Sequence, residues 1–328
     1  MIRIGKISYW HVHADDYTRQ ALANPSTELA AVWDEESERG IKKAAEYGVP
    51  YYASLDEMLA RDDIDAVIVD APTNIHHEVI IKAAKAGKHI FTEKVIAPTN
   101  KEVTDIVSEI KQAGVKFGVS LPRLYTASTQ IVNKVIQEGT LGKLTLARVR
   151  LSHNGAIADW LPSHFYSKEQ CGGGALIDLG CHPMYLVRQF LGMPDSVSAS
   201  FGYVTGKEVE DNAVAVLQYA NGALGIVEAG FVNSHSPFCI ELHGTEGTLL
   251  IGFPDETPII RSNNGIPEWE KLDKGQDVTM AFDQWVAHIE NGTEATDNVN
   301  IAIDLTRLME ASTRSVAEGR PIRIDELA

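Results

Sequence analysis

Apolar positions along the first 120 residues come in short runs separated by segments of helical spacing. Residues 2–8 form a β-rich run. Residues 14–23 follow with Tyr17, Ala21 and Leu22 recurring at three and four, which predicts an amphipathic helix. A second apolar run, 29–33, ends at Asp34, and a charged helix is expected over 36–47. Residues 49–53 make a weak third strand. Ser54 then reads as an N-cap, with Glu57 three residues on completing a capping box. Residues 66–69 are continuously apolar, as suits a strand buried on both faces of a parallel sheet. A helix over 78–86 closes at Gly87, a strand spans 90–92, a helix opened by Thr99 closes at Gly114, and 115–120 is a sixth strand. Six such alternations predict a doubly wound parallel sheet of Rossmann type, with ligands at the carboxyl ends of its strands.

The period then changes. One helix, 128–138, leads into runs that alternate every second residue: 144–151, 197–203, 213–219, 223–228, 239–243 and 248–251. Asn221-Gly222 between two of them is a hairpin signal. Strands that follow one another without helices predict a large, mostly antiparallel sheet, so the second half reads as α+β. Helices over 280–290 and 299–317 and a last strand over 321–325 close the pattern. The switch of period near Ser120–Arg123, with Pro122, places a domain boundary there, giving domains 1–120 and 121–328.

Composition narrows the class. A chain of 328 residues with 44% apolar and 23% charged residues can bury two ordinary cores. Its net charge of −16 lacks the basic footprint that nucleic acid or an anionic membrane needs. Three cysteines (Cys171, Cys181 and Cys239) with no C-x-x-C pair exclude a disulfide scaffold and a zinc ribbon. No apolar run is long enough for a membrane span, and the N-terminus has no signal-peptide layout, so a cytoplasmic protein is expected.

Several segments carry candidate chemistry. A dinucleotide fingerprint would place glycines at positions 8, 10 and 13 of the first turn; here they are Ser8, Trp10 and His13. An indole at position 10 fills space a diphosphate needs, and Asp15 and Asp16 repel a phosphate at the same helix start. Taken alone, this turn argues against a dinucleotide. Asp34 argues the other way: an acid ending the second strand can accept hydrogen bonds from both ribose hydroxyls of NAD and repel the 2′-phosphate of NADP, although it also reads as a solvated loop acid. His11-x-His13 with His76 could hold a metal, or be polar residues at a sheet edge. Glu93-Lys94 follows the fifth strand, where a lysine can act as acid/base or simply form an ion pair. The run Gly172-Gly173-Gly174 opens a helical pattern in which Asp178 and His182, four apart, share a face: a carboxylate beside an imidazole, the layout of a general base. Pro183 cannot donate to the carbonyl of Leu179, so that helix is expected to kink.

Together these segments resemble the Gfo/Idh/MocA family of oxidoreductases (glucose–fructose oxidoreductase, inositol dehydrogenase and relatives), over essentially the whole chain. Ala71-Pro72-Thr73-Asn74-Ile75-His76 resembles its Pro-x-x-x-His segment, Glu93-Lys94 its Glu-Lys-Pro motif, and Gly172 to His182 its glycine-run, Asp, His motif. Glu210-Asp211-Asn212 and His243-Gly244-Thr245-Glu246-Gly247 are similar to segments of its C-terminal sheet. The resemblance implies an N-terminal domain that binds NAD, with NADP second. It implies a C-terminal domain that forms a homodimer or homotetramer through its sheet, and a sugar or polyol substrate between the domains. By similarity, Lys94 and His182 share acid/base work, Asp178 orients one of them, and hydride passes between substrate and nicotinamide. Ser8, Trp10, Asp34, Pro72, Thr73, His76, Glu93 and Lys94 fall at cofactor positions, and Arg123, Trp160 and His164 at substrate positions; no metal is implied. There are two departures: the glycine fingerprint is absent, and Val95 replaces the motif's proline, which loosens how Lys94 is aimed. A non-catalytic member that senses a sugar or nucleotide, and a metal-assisted hydrolase or lyase built on His11, His13 and His76, are the competing readings.

Overall fold

The computed structural model describes residues 1–253 and 255–327. Two compact units are present: Met1–Leu121 with Thr279–Ile303, and Pro122–Val278 with Asp304–Ala328.

The first unit is built on a six-stranded, wholly parallel sheet. Its strands are β1 (Ile2–Ile7), β2 (Thr27–Trp33), β3 (Tyr51–Tyr52), β4 (Ala66–Val69), β5 (His89–Thr92) and β6 (Phe117–Val119), in the order β3-β2-β1-β4-β5-β6. The order reverses between β1 and β4, and the carboxyl ends of those two strands open the crevice where such sheets bind ligands. β4 is buried throughout, which is why its sequence is continuously apolar. The helix termini follow the sequence signals. Ser54 Oγ accepts from the Glu57 amide at 3.3 Å, and Thr99 and Glu102 close a full capping box. Helix Ala281–Asn291, far along the chain, belongs to this unit: Trp285 packs on Phe91 of β5 and on Phe282 (centroids 5.7 Å in each case), and its Nε1 donates to the Lys116 carbonyl at 3.3 Å.

The second unit carries a nine-stranded sheet. Its strands are β7 (Leu144–Ser152), β8 (Ser196–Gly202), β9 (Asn212–Gln218), β10 (Leu224–Gly230), β11 (Cys239–Gly244), β12 (Gly247–Ile251), β13 (Ile259–Ser262), β14 (Ile266–Lys271) and β15 (Ile322–Arg323). Their order is β14-β13-β12-β11-β7-β10-β9-β8-β15. The β9–β10 hairpin turns at Gly222, whose φ of 85° explains the Asn-Gly signal. Most pairs are antiparallel, but β7 and β10 run parallel, with helix Cys181–Leu191 lying between them in sequence. The sequence pattern missed the β13–β14 hairpin. β14 is an edge strand whose residues are nearly all exposed, and it contains Pro267, so neither alternation nor β propensity marks it. Among the described residues no helix is long and apolar enough to cross a membrane.

Trp285→Ala removes the largest fully buried side chain of the first unit and should lower unfolding free energy by about 3–5 kcal/mol in denaturant titration. A loss below about 1 kcal/mol would show that this helix does not complete the core.

Candidate functional site

At the carboxyl edge of the parallel sheet, polar side chains are buried together. Lys6 on β1 and Asp70 after β4 form an ion pair with both side chains fully buried. Glu93, at the end of β5, is also buried. Its carboxylate accepts from Tyr17 Oη at 2.8 Å and from the Lys94 amide at 2.8 Å, and it lies 3.6 Å from Lys94 Nζ and 3.4 Å from His11 Nδ1. Burial alone would raise the Glu93 carboxyl, but Lys94 above all, with His11 and the Tyr17 hydrogen bond, carries it well below the usual carboxylate range. His11 is pushed well below its ordinary value by burial, against the pull of Glu93. The Lys94–Val95 peptide is cis.

The first turn lacks the fingerprint glycines but retains a backbone shape that glycine normally serves. Ser8 has φ of 71°, the left-handed conformation, and its Oγ accepts from the Trp10 amide at 3.0 Å. Three further amides of the turn are also engaged: Tyr9 with Asp34 Oδ2 (2.8 Å), His11 with the Asp70 carbonyl (3.1 Å) and His13 with His11 Nδ1 (3.2 Å). The Trp10 indole is 6% exposed, beside the His11 ring. Asp15 pairs with Lys43 at 2.7 Å, which offsets the expected repulsion of a phosphate. This turn fits the dinucleotide role in shape, with Ser8 at the positive-φ corner and Asp34 at the end of β2. In the conformation described, the amides of Trp10 and His13 are satisfied by side chains of the turn itself, Ser8 and His11.

His76 is turned to backbone on both sides of its ring. Its Nδ1 faces the carbonyls of Val95 (3.0 Å) and Ile96 (3.2 Å), and its Nε2 faces that of Ala71 (2.9 Å). Burial holds the ring below its ordinary pKa although those carbonyls pull it up, and the ring ties the turn after β4 to the turn after β5. Pro72 and Thr73 are buried in the first of these turns. With both nitrogens turned to backbone, His76 does not complete a metal cluster with His11 and His13. Among the described residues no group of three or more His, Cys, Asp or Glu side chains is placed to hold a metal ion.

In the second unit the glycine run is shaped by Glu210, which the sequence marked only as part of a C-terminal sheet segment. Glu210 is buried, and its carboxylate accepts from the amides of Gly174 (2.9 Å) and Leu176 (3.0 Å). Its carbonyl accepts from Ala175 at 2.8 Å. A Cβ at position 174 would stand 2.1 Å from that carbonyl, so only glycine fits there. Burial pushes the Glu210 carboxyl up, against the pull of those amides. Next comes one π turn, Leu176–Gly180, which carries Asp178, and then helix Cys181–Leu191, which carries His182. The π turn is where the irregularity expected from Pro183 falls.

His182 is buried, and its Nδ1 lies 2.9 Å from Tyr185 Oη, which accepts from the Arg123 amide at 2.9 Å. Tyr185, one turn beyond His182, was legible as an i+3 neighbour. Arg123 therefore supports His182 through its backbone. Its guanidinium lies over the Phe238 ring, 4.2 Å from the centroid, in a cavity of about 200 Å³ lined also by Ser128, Glu256 and Lys274 but not by Asp178 or His182. Trp160 is 55% exposed and packs against His153, which stacks on Phe231 at 5.1 Å. His164 lies on the turn Ser163–Tyr166 that follows.

Comparison with known proteins agrees with this architecture. Residues 4–121 match the model of the oxidoreductase family with NAD-binding Rossmann fold (GFO/IDH/MocA), and residues 129–250 match its C-terminal domain. A 1,5-anhydro-D-fructose reductase of Ensifer adhaerens is 28% identical over 245 residues, 72% of each chain. The scyllo-inositol 2-dehydrogenase (NAD(+)) of Bacillus subtilis is 26% identical over 346 residues, covering 99% of this chain and 95% of its own. An oxidoreductase from Agrobacterium radiobacter, solved with NAD+, L-tartaric acid and magnesium, superposes with a TM-score of 0.86 at 19% identity, over 100% of this chain and 99% of its own; at that identity the likeness shows the fold.

Protonation should weaken the first unit. His11, His76 and His89 all sit below the ordinary 6.5, so the unfolded chain takes up their protons first as pH falls. Their contribution is complete above about pH 6.5 and is lost as pH drops through their folded values; that of Glu93, also lowered, follows below about 4.5. Denaturation midpoints should fall between pH 7.5 and 5, by less in His11→Gln. A flat profile would contradict this.

Proposed function

The chain belongs to the GFO/IDH/MocA family of NAD-binding oxidoreductases, and from that membership we propose that it moves hydride between NAD and a hydroxyl or keto carbon of a sugar, inositol or related polyol. NAD, when bound, supplies or accepts the hydride at its nicotinamide.

The observation that carries the reading is the contact between His182 Nδ1 and Tyr185 Oη. The phenol oxygen already accepts the Arg123 N–H, and it can serve the imidazole in either direction. Accepting Nδ1–H leaves Nε2 with a lone pair to take a proton from a hydroxyl. Donating to Nδ1 leaves Nε2–H to protonate a forming alkoxide. A reversible alcohol–ketone interconversion needs both states of one group. Lys94 is the second acid/base candidate: a buried ammonium beside the Glu93 carboxylate, which can donate to oxygen as negative charge develops there. Asp178, on the π turn ahead of His182, is proposed as its electrostatic support.

The wider reading is a small-molecule sugar or polyol substrate and NAD in preference to NADP. We place the chain in the cytoplasm as a homodimer or homotetramer through the C-terminal sheet, on which Val214 and Leu224 are exposed. A sensing member without turnover is the second reading, favoured by the self-satisfied amides of the first turn.

In a screen of sugars and inositols with NAD, reduced cofactor should appear for at least one substrate. Lys94→Ala and His182→Ala should each lower kcat by about 10²-fold or more. Tyr185→Phe should lower kcat by about tenfold and displace the pH–rate profile, with KM little changed. Ligand-dependent stabilisation without reduced cofactor on any polyol would overturn the oxidoreductase reading and leave the sensor.

A further inference from the structure

The Asp34 carboxylate is saturated. Oδ1 accepts from the Glu36 amide (2.8 Å) and Arg39 Nη2 (2.7 Å), and Oδ2 accepts from the Tyr9 amide (2.8 Å) and Arg39 Nε (2.9 Å). A carboxylate offers about four acceptor positions, so none is left over. Two of the four donors are backbone groups that fix the end of β2 to the first turn and to the following helix. The other two belong to one side chain.

Arg39 is held there by the fold. It lies on helix Ser37–Tyr47, whose Gly40 lets the helix press against the end of β2. A Cβ at position 40 would stand 2.7 Å from Asp34 Cβ and 2.6 Å from the Tyr51 ring. The same guanidinium reaches Glu35 Oε1 at 2.5 Å and Glu36 Oε2 at 2.9 Å. It is therefore a planar fork shared among three carboxylates, bidentate on the buried one.

We propose that Arg39 is an affinity-determining residue that competes with the adenosine ribose for Asp34, so that NAD binds by exchange. The ribose diol brings two O–H donors, and Arg39 withdraws two. The displaced guanidinium keeps its seats on Glu35 and Glu36, so its charge stays paired while Asp34 changes partner. A 2′-phosphate has no hydroxyl to offer at that position and would face three carboxylates against one guanidinium, which disfavours NADP. This inference rests on the NAD reading above and adds the residue that sets affinity for it.

The test is calorimetric titration of the full chain with NADH and NADPH, together with thermal unfolding of each variant. Arg39→Met keeps the apolar stem and removes the fork. It should bind NADH about tenfold or more tightly than wild type, with a lowered Tm because Asp34 loses two donors. Arg39→Lys keeps the charge but not the bidentate geometry and should give a smaller gain; it serves where Arg39→Met does not fold. NADPH should remain weaker than NADH throughout. A folded variant with unchanged or weaker NADH binding would overturn the proposal. So would a selective loss of NADPH binding, which would make Arg39 a reader of the 2′-phosphate. If neither wild type nor any variant binds NADH, the NAD reading falls with it; binding by wild type without tightening in the variants removes this proposal alone.

Discussion

A carboxylate taken out of water must be compensated where it stands, and the carboxyl edge of the parallel sheet is organised around that requirement at Glu93. Its neighbours come from three places in the chain: Tyr17 from the first helix, His11 from the first turn, Lys94 from the next position. Tyr17 gives its proton to Glu93 and so takes one from Ser120, just beyond β6. One buried charge thus fixes the relative positions of the first turn, the first helix and the ends of β5 and β6. The same cluster sets Lys94 Nζ 3.6 Å from a carboxylate at the carboxyl edge of the sheet.

The second unit solves the same problem with backbone amides. Glu210 caps the start of the segment that bears Asp178 and His182, and the contact needs a residue without a Cβ at position 174. The glycine run is therefore less a flexible hinge than the place where a buried carboxylate and a chain start meet at van der Waals limits. The helix that follows carries Tyr185, which together with the Arg123 amide fixes the ring of His182. In both units the groups proposed for chemistry are positioned by polar contacts away from solvent, where geometry is held more tightly than on a surface loop.

The sequence was most legible where one local period governed. All six strands of the parallel sheet follow from apolar runs bounded by Ser54, Gly87, Thr99 and Gly114, because burial on both faces and helix capping leave marks within a few residues. Asp178 and His182 were singled out together from their spacing, whereas the partner found at His182 Nδ1 is Tyr185. Tyr185 lay within the same helix and Arg39 within five residues of Asp34; both were reachable by counting, yet nothing in composition distinguishes a tyrosine or arginine with a polar task from one without. The β13–β14 hairpin left no alternating pattern because its outer strand is solvent-exposed.

By itself the sequence determined the two-part architecture, the parallel and mostly antiparallel sheets, and which acids, lysine and histidines were candidates. These rest on periodicity, caps and short motifs, all interactions between near neighbours along the chain. Only the tertiary structure decided what those side chains are bonded to. It placed Ser8 in a left-handed turn without glycine, turned His76 to three backbone carbonyls, saturated Asp34 with Arg39, and set Glu210 under Gly174. The reason is physical: a buried polar group takes whatever donor the packing brings within about 3 Å. That donor comes from elements whose separation in sequence carries no record of their distance in space.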